Sequence, residues 1–191
     1  MGMEYDPDPD LRALEAMVAN LTPYLYEEAL YGTLAPNLPK LTVGALLLRL
    51  QRLQGLGDSL SAPQWERLNQ AQRRFEAERY EWLNHYKGKI EKELTSRLRS
   101  IRAFSSDYSD DPSKGRDNYL PVAAERTIVH YLQAEAKTQG VWSEEWASEL
   151  RQVDMKLRGS LGDEQGFIWA ERLQTLYPAE DFWWLYSYPK E

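Results

Sequence analysis

Residues 63–104, PQWERLNQAQRRFEAERYEWLNHYKGKIEKELTSRLRSIRAF, decide the fold of this chain. Within them Trp65, Leu68, Phe75, Trp82, Leu83, Tyr86, Ile90, Leu94, Leu98, Ile101 and Phe104 recur mostly at steps of three, four or seven. Each residue turns a helix by about 100°, so these positions share one continuous apolar stripe. Ser61-Ala62-Pro63 supplies a capping serine and an early proline, and no further proline interrupts the run. The stretch predicts one long amphipathic helix. About 42 residues at about 1.5 Å each give roughly 63 Å, whereas a compact chain of this length is roughly 40 Å across. Either the helix bends, with Gly88 the expected place because glycine is the weakest interior residue, or one end projects.

Upstream, Asp8-Pro9 reads as a helix start, followed at helical spacing by Leu11, Leu14, Met17, Val18 and Leu21. Thr22-Pro23 restarts the chain into a short segment with Tyr24, Tyr26 and Tyr31, which Gly32 ends. After a proline-containing connection, Thr42 caps a leucine-rich helix that is apolar nearly all round and therefore buried from several sides. Downstream of Phe104 the polar residues 105–119 predict a loop. Helical pattern resumes near Pro121 and stops at Gly140. Ser143 then caps a further helix, and Asp163 a last one carrying Phe167, Ile168, Leu173 and Leu176. There is no sustained period-2 alternation, no internal repeat and no low-complexity tract. The expected fold is all-α, a single-domain helical bundle of about six helices, with a flexible N-terminus over 1–7 and an aromatic tail over 178–191 packed on the bundle.

Composition bounds the chemistry. The 191 residues hold 42% hydrophobic and 28% charged side chains, the balance of a folded globular protein. Cys is absent, which excludes disulfides, thiolate metal sites and a cysteine nucleophile. The N-terminal residues are acidic rather than a basic start to an apolar stretch, and the run Leu41–Leu50 is too short to cross a bilayer, so a cytoplasmic location without membrane contact is expected. The net charge of -7 repels nucleic acid unless a local patch overrides it. Lys87, Lys89, Lys92, Arg97, Arg99 and Arg102 are such a cluster, but they scatter around the helix with Glu91 and Glu93 among them, which disfavours a phosphate-contacting face.

No catalytic or cofactor motif stands out. A di-metal bundle uses Glu-x-x-His pairs, whereas Trp82 and Thr127 precede His85 and His130 by three. Glu81 and His85, one turn apart, are too few ligands for a metal claim. Gly55-Leu56-Gly57 follows a helix and lacks the lysine of a phosphate loop, so it reads as helix termination. Neither a cofactor nor a metal is expected.

Two places suit a partner. Beyond Gly88 the stripe narrows to a seam of Ile90, Leu94, Leu98 and Ile101, fitted to one facing helix from the same chain or another. The tail Phe182-Trp183-Trp184-Leu185-Tyr186-Ser187-Tyr188 is aromatic enough either to clasp the bundle or to form an interface, with Trp183, Trp184 and Tyr186 as contact residues. The expected function is a non-enzymatic protein–protein interaction or assembly domain, binding another protein or its own copy. An alternative is a ligand-binding bundle with a pocket lined by Trp65, Arg79, Trp82 and Tyr86. A nucleic-acid accessory role is the third.

Overall fold

The structure, a computed structural model, describes residues 4–110, 115–163 and 165–190. It is all-α: the helices are α1 (Pro7–Ala19), α2 (Leu21–Tyr26), α3 (Val43–Leu56), α4 (Ala62–Glu81), α5 (Leu83–Asp110), α6 (Gly115–Thr138) and α7 (Glu144–Ser160). Among the described residues there is no strand, only the isolated bridges Gly32–Leu41 and Leu161–Pro189. The chain divides into two compact units, Asp6–Glu93 and Leu94–Glu191 with Met1–Tyr5, and the division falls inside α5.

In the Asp6–Glu93 unit, α1 lies against α3 and α4, and α2 against α4. Leu11, Leu14, Met17, Leu21, Leu46, Leu53 and Leu68 are fully buried; each such side chain is worth about 1.5–3 kcal/mol of transfer free energy. The stabilising charges at the edges of this core are specific. Arg67 clasps Glu15 through the Nε–Nη2 edge of its guanidinium at 2.8 and 2.7 Å, and Asp10 receives Arg49 and Arg52 at 3.4 and 3.0 Å. Gly32 and Leu41 exchange two backbone hydrogen bonds of 2.9 Å, closing the loop between them. Position 32 has to be glycine, because a Cβ there would stand 2.9 Å from Cδ2 of Tyr24.

Helix starts follow local chemistry. Thr42 caps α3 through a 3.0 Å bond from the Ala45 amide, and Ser61 and Gln64 form a reciprocal capping box at α4. The α1 start is one dipeptide earlier than expected: Asp6 caps it and Pro7, buried, is its first residue. Two Asp-Pro pairs occur in series, and the first one wins. Of the expected flexible segment 1–7, residues 1–3 lie outside the described residues, while Asp6 and Pro7 belong to the helix start.

The long element is divided, but not at Gly88. Trp82 leaves helical geometry, with φ -111° and ψ 34°, and separates α4 from α5. Gly88 sits inside α5 in ordinary helix. The 105–119 loop is also corrected: α5 continues to Asp110 and α6 begins at Gly115, with residues 111–114 outside the described set. Serines and aspartates permit a helix as well as a turn when one face is anchored, and here Ile101 and Ser105 supply a buried face.

In the second unit α6 and α7 are joined by the Arg126–Asp154 pair, a two-point contact of 2.6 and 2.8 Å. The helix expected from Asp163 does not form. Gly166 takes φ +106°, and the amides of Gly162, Gln165 and Ile168 donate to the carbonyls of Tyr188, Tyr186 and Leu185 at 2.8, 2.9 and 2.9 Å. Donors bound to the tail in this way are not available for a helix, and only a 3-10 turn, Glu171–Leu176, remains. The tail itself is fixed by Trp184, whose indole N–H donates to Thr127 Oγ1 at 2.9 Å and whose carbonyl accepts from the Tyr119 hydroxyl at 2.6 Å.

Candidate functional site

The expected partner seam is not a surface. Ile90, Leu94, Leu98 and Ile101 are all 0% exposed, so the chain itself covers them. Trp184 and Tyr186 are likewise core residues, the first under the Arg126 guanidinium at 4.0 Å and the second donating its hydroxyl to the Tyr177 carbonyl at 2.7 Å. Of the three tail residues only Trp183 keeps an open face, and Arg158 lies 3.9 Å over its ring.

Of the four residues expected to line a pocket, Tyr86 and Arg79 meet at Phe75. Tyr86 is fully buried and packs edgewise on Phe75, with ring centres 6.0 Å apart. Arg79 sits 5.3 Å over the Phe75 ring, Trp65 is half-buried, and Trp82 turns to a different set of neighbours. Size and periodicity put Trp82 and Tyr86 on the same stripe, but the break at Trp82 rotates it out of register with the core.

Those different neighbours make an open aromatic cluster in the Asp6–Glu93 unit, where Tyr80 is also exposed. The Tyr26 ring lies 4.8 Å from Trp82, edge to face, and 4.8 Å from His85. Tyr26 is 53% exposed, His85 is exposed and Trp82 is half-buried. Trp82 and His85, three residues apart, share one face and so meet the same tyrosine. Tyr26 ends α2, where Tyr24 faces inward and Tyr26 outward.

A buried cation anchors this arrangement from below. Lys89, 3% exposed, donates to the carbonyls of Glu27 and Ala29, both at 2.7 Å, and its ammonium stands 4.0 Å over the Tyr24 ring. Burial holds its pKa below the ordinary lysine value. The chain leaving α2 is thereby pinned along α5, one turn beyond His85. Two carboxylates act the same way on helix starts: Glu78, part-buried, accepts from the amide and hydroxyl of Thr22 at 3.1 and 2.9 Å, and Glu93, buried, from the Gly44 amide at 2.9 Å. Neither the Lys89 clamp nor these remote caps carries a sequence signal, since their partners are 49 to 62 positions away.

Three of the six cations of the cluster are buried or paired. Lys89 and Arg97 are buried, and Arg102 is engaged by Glu149 at 2.9 Å. His85 stands among aromatic rings, and His130 packs 4.4 Å from the Phe182 ring. Among the described residues no group of three or more His, Cys, Asp or Glu side chains could hold a metal ion, and no helix is long and apolar enough to cross a membrane.

Two of the hollows among the described residues combine an arginine with apolar walls. One of about 180 Å³ is bounded by Pro9, Asp10, Arg12, Leu38, Pro39 and Arg49, with the Asp10–Arg49 pair in its wall. The other, about 230 Å³, is formed in the second unit by Arg158, Leu161, Gly162, Ala179, Trp183, Tyr186 and Ser187. Sequence reading identified only its aromatic members, because Arg158 is 25 positions from Trp183 and nothing local links them. No protein family, no curated protein and no solved structure matches this chain.

Proposed function

We propose that this chain is a non-enzymatic protein–protein interaction domain whose contact surface is centred on Tyr26, Trp82 and His85. The observation supporting it is the open aromatic cluster at the α4–α5 break. Tyr26 combines large apolar exposure with ring contacts to two other aromatic groups. Trp and Tyr dominate the residues that carry interface energy, since each adds large contact area at the cost of few rotamers. The Lys89 clamp holds the segment bearing Tyr26, so the patch is preformed and little ordering entropy is lost when a partner covers it. A cytoplasmic setting, expected from a cysteine-free chain, is part of the same proposal.

The test is affinity capture from native extract with three baits: the wild type, Tyr26→Ser, and Met155→Ser, an exposed apolar site on α7. A partner retained by the wild type and by Met155→Ser but lost from Tyr26→Ser supports the patch. Sedimentation of the same three proteins covers self-association. Identical capture and identical sedimentation for all three would remove the patch as the contact surface.

A further inference from the structure

The hollow beside Trp183 has the composition of a ligand site. We infer that it binds a small organic monocarboxylate with a flat apolar body, the carboxylate on Arg158 and the body against Trp183 and its apolar neighbours.

Among the described residues no carboxylate lies within ion-pair distance of Arg158, whose guanidinium stacks 3.9 Å over the Trp183 ring. Stacking fixes the guanidinium plane and leaves its N–H edge, the part that meets a carboxylate in two parallel hydrogen bonds.

An arginine in the last turn of a helix has an obvious structural role, compensation of the terminal carbonyls. Here that role is already filled. Leu157 and Arg158 carbonyls both accept from the Leu161 amide at 3.2 Å, the Gly159 carbonyl from Lys190 Nζ at 3.1 Å, and the Ser160 carbonyl from the Lys190 amide at 3.1 Å.

A second polar group faces the same hollow. Ser187 lines it, and its hydroxyl, open to solvent, makes no hydrogen bond to a described residue. The remaining wall is apolar or backbone: Leu161, Gly162, Ala179, the Trp183 ring and Tyr186, whose own hydroxyl is engaged elsewhere.

Size and charge narrow the class. A hollow of about 230 Å³ is smaller than the ~300–1,000 Å³ of drug-sized sites. One guanidinium and one hydroxyl balance a single negative charge, whereas a phosphate dianion calls for more cations than the wall provides. The apolar wall gives no return to an ion without a hydrocarbon body. The inference is independent of the contact patch, which lies on the other unit.

The test uses three probes on the full chain: benzoate, inorganic phosphate and benzamidine, the last having the same ring with a cationic head. The readout is an NMR titration of the indole N–H signals, with Trp183 assigned by Trp183→Phe. Benzoate is expected to shift the Trp183 signal saturably, with a dissociation constant on the order of a millimolar, and benzamidine and phosphate to leave it in place. Arg158→Gln is expected to weaken benzoate about tenfold or more, and Ser187→Ala by a smaller factor. Arg158 is an exposed residue, so its variant keeps the wild-type Tm and loss of binding is not loss of fold. No saturable shift with benzoate, an equal response to benzamidine or to phosphate, or full benzoate binding by Arg158→Gln would each overturn the inference.

Discussion

His130 is held in a setting that resists protonation. Its ring packs 4.4 Å from Phe182 and 6.2 Å from Trp184, and burial is the main reason its pKa lies below the ordinary 6.5, with the Arg126 and Lys137 charges acting in the same direction and Asp181 opposing. The sign of the consequence is fixed. Between the lowered folded value and 6.5 the unfolded chain binds a proton that the folded chain does not, so stability rises with pH through that window and falls as acid is added. In His130→Gln that slope disappears. The stability of wild type relative to this variant should therefore shrink between about pH 7.5 and about pH 5, as urea midpoints at the two values will show; a constant difference would mean that the imidazole titrates as in the unfolded chain. The same lowering at Lys89 has a different setting, since two carbonyls and a tyrosine ring receive its ammonium. Sequence reading located both residues on helices but neither environment, because burial of a polar side chain depends on what the fold brings to it.

Helix boundaries divide sharply into those written locally and those imposed from elsewhere. Thr42, Ser61 and Ser143 were readable as caps because the bond each makes is to an amide three residues on. The interruption at Trp82 was not, since the apolar stripe passes through it without a change of phase and no proline or glycine marks it. The helix expected from Asp163 failed for the opposite reason: its pattern was adequate, but its amides are taken by tail carbonyls about 20 positions away. Gly88 offers a direct check on the corrected boundary. It lies in the α5 interior, and a Cβ there would meet nothing within 4 Å. Gly88→Ala should accordingly stabilise the protein by roughly 0.5–1 kcal/mol, measured as an increase in urea midpoint at unchanged m. A bend at residue 88 would make the same substitution neutral or destabilising.

The all-α class, the cysteine-free chemistry and the aromatic character of the tail were legible from composition and period alone, whereas the candidate sites were not. Periodicity says that Trp82, Tyr86, Ile90 and Leu94 share a stripe; it does not say that the last three are sealed inside while the first meets Tyr26 at the surface. That distinction arises from one irregular residue and one buried lysine, both invisible to a periodic reading. Charge adds a condition on the proposed contact surface. The chain carries -7 at neutral pH and has a sequence pI near 5.0, so copies repel one another at pH 7 and this repulsion vanishes as the pI is approached. An aromatic patch capable of self-contact should then express itself most strongly near pH 5. Sedimentation at several protein concentrations is expected to show association of the wild type rising from pH 7 towards pH 5, with Tyr26→Ser remaining closer to monomeric across the range and Met155→Ser following the wild type. Far-UV circular dichroism at each pH separates association of the folded chain from acid unfolding, to which His130 contributes. Equal association of wild type and Tyr26→Ser near pH 5, with helicity intact, would assign the effect to lost repulsion alone and leave the patch to a different protein partner.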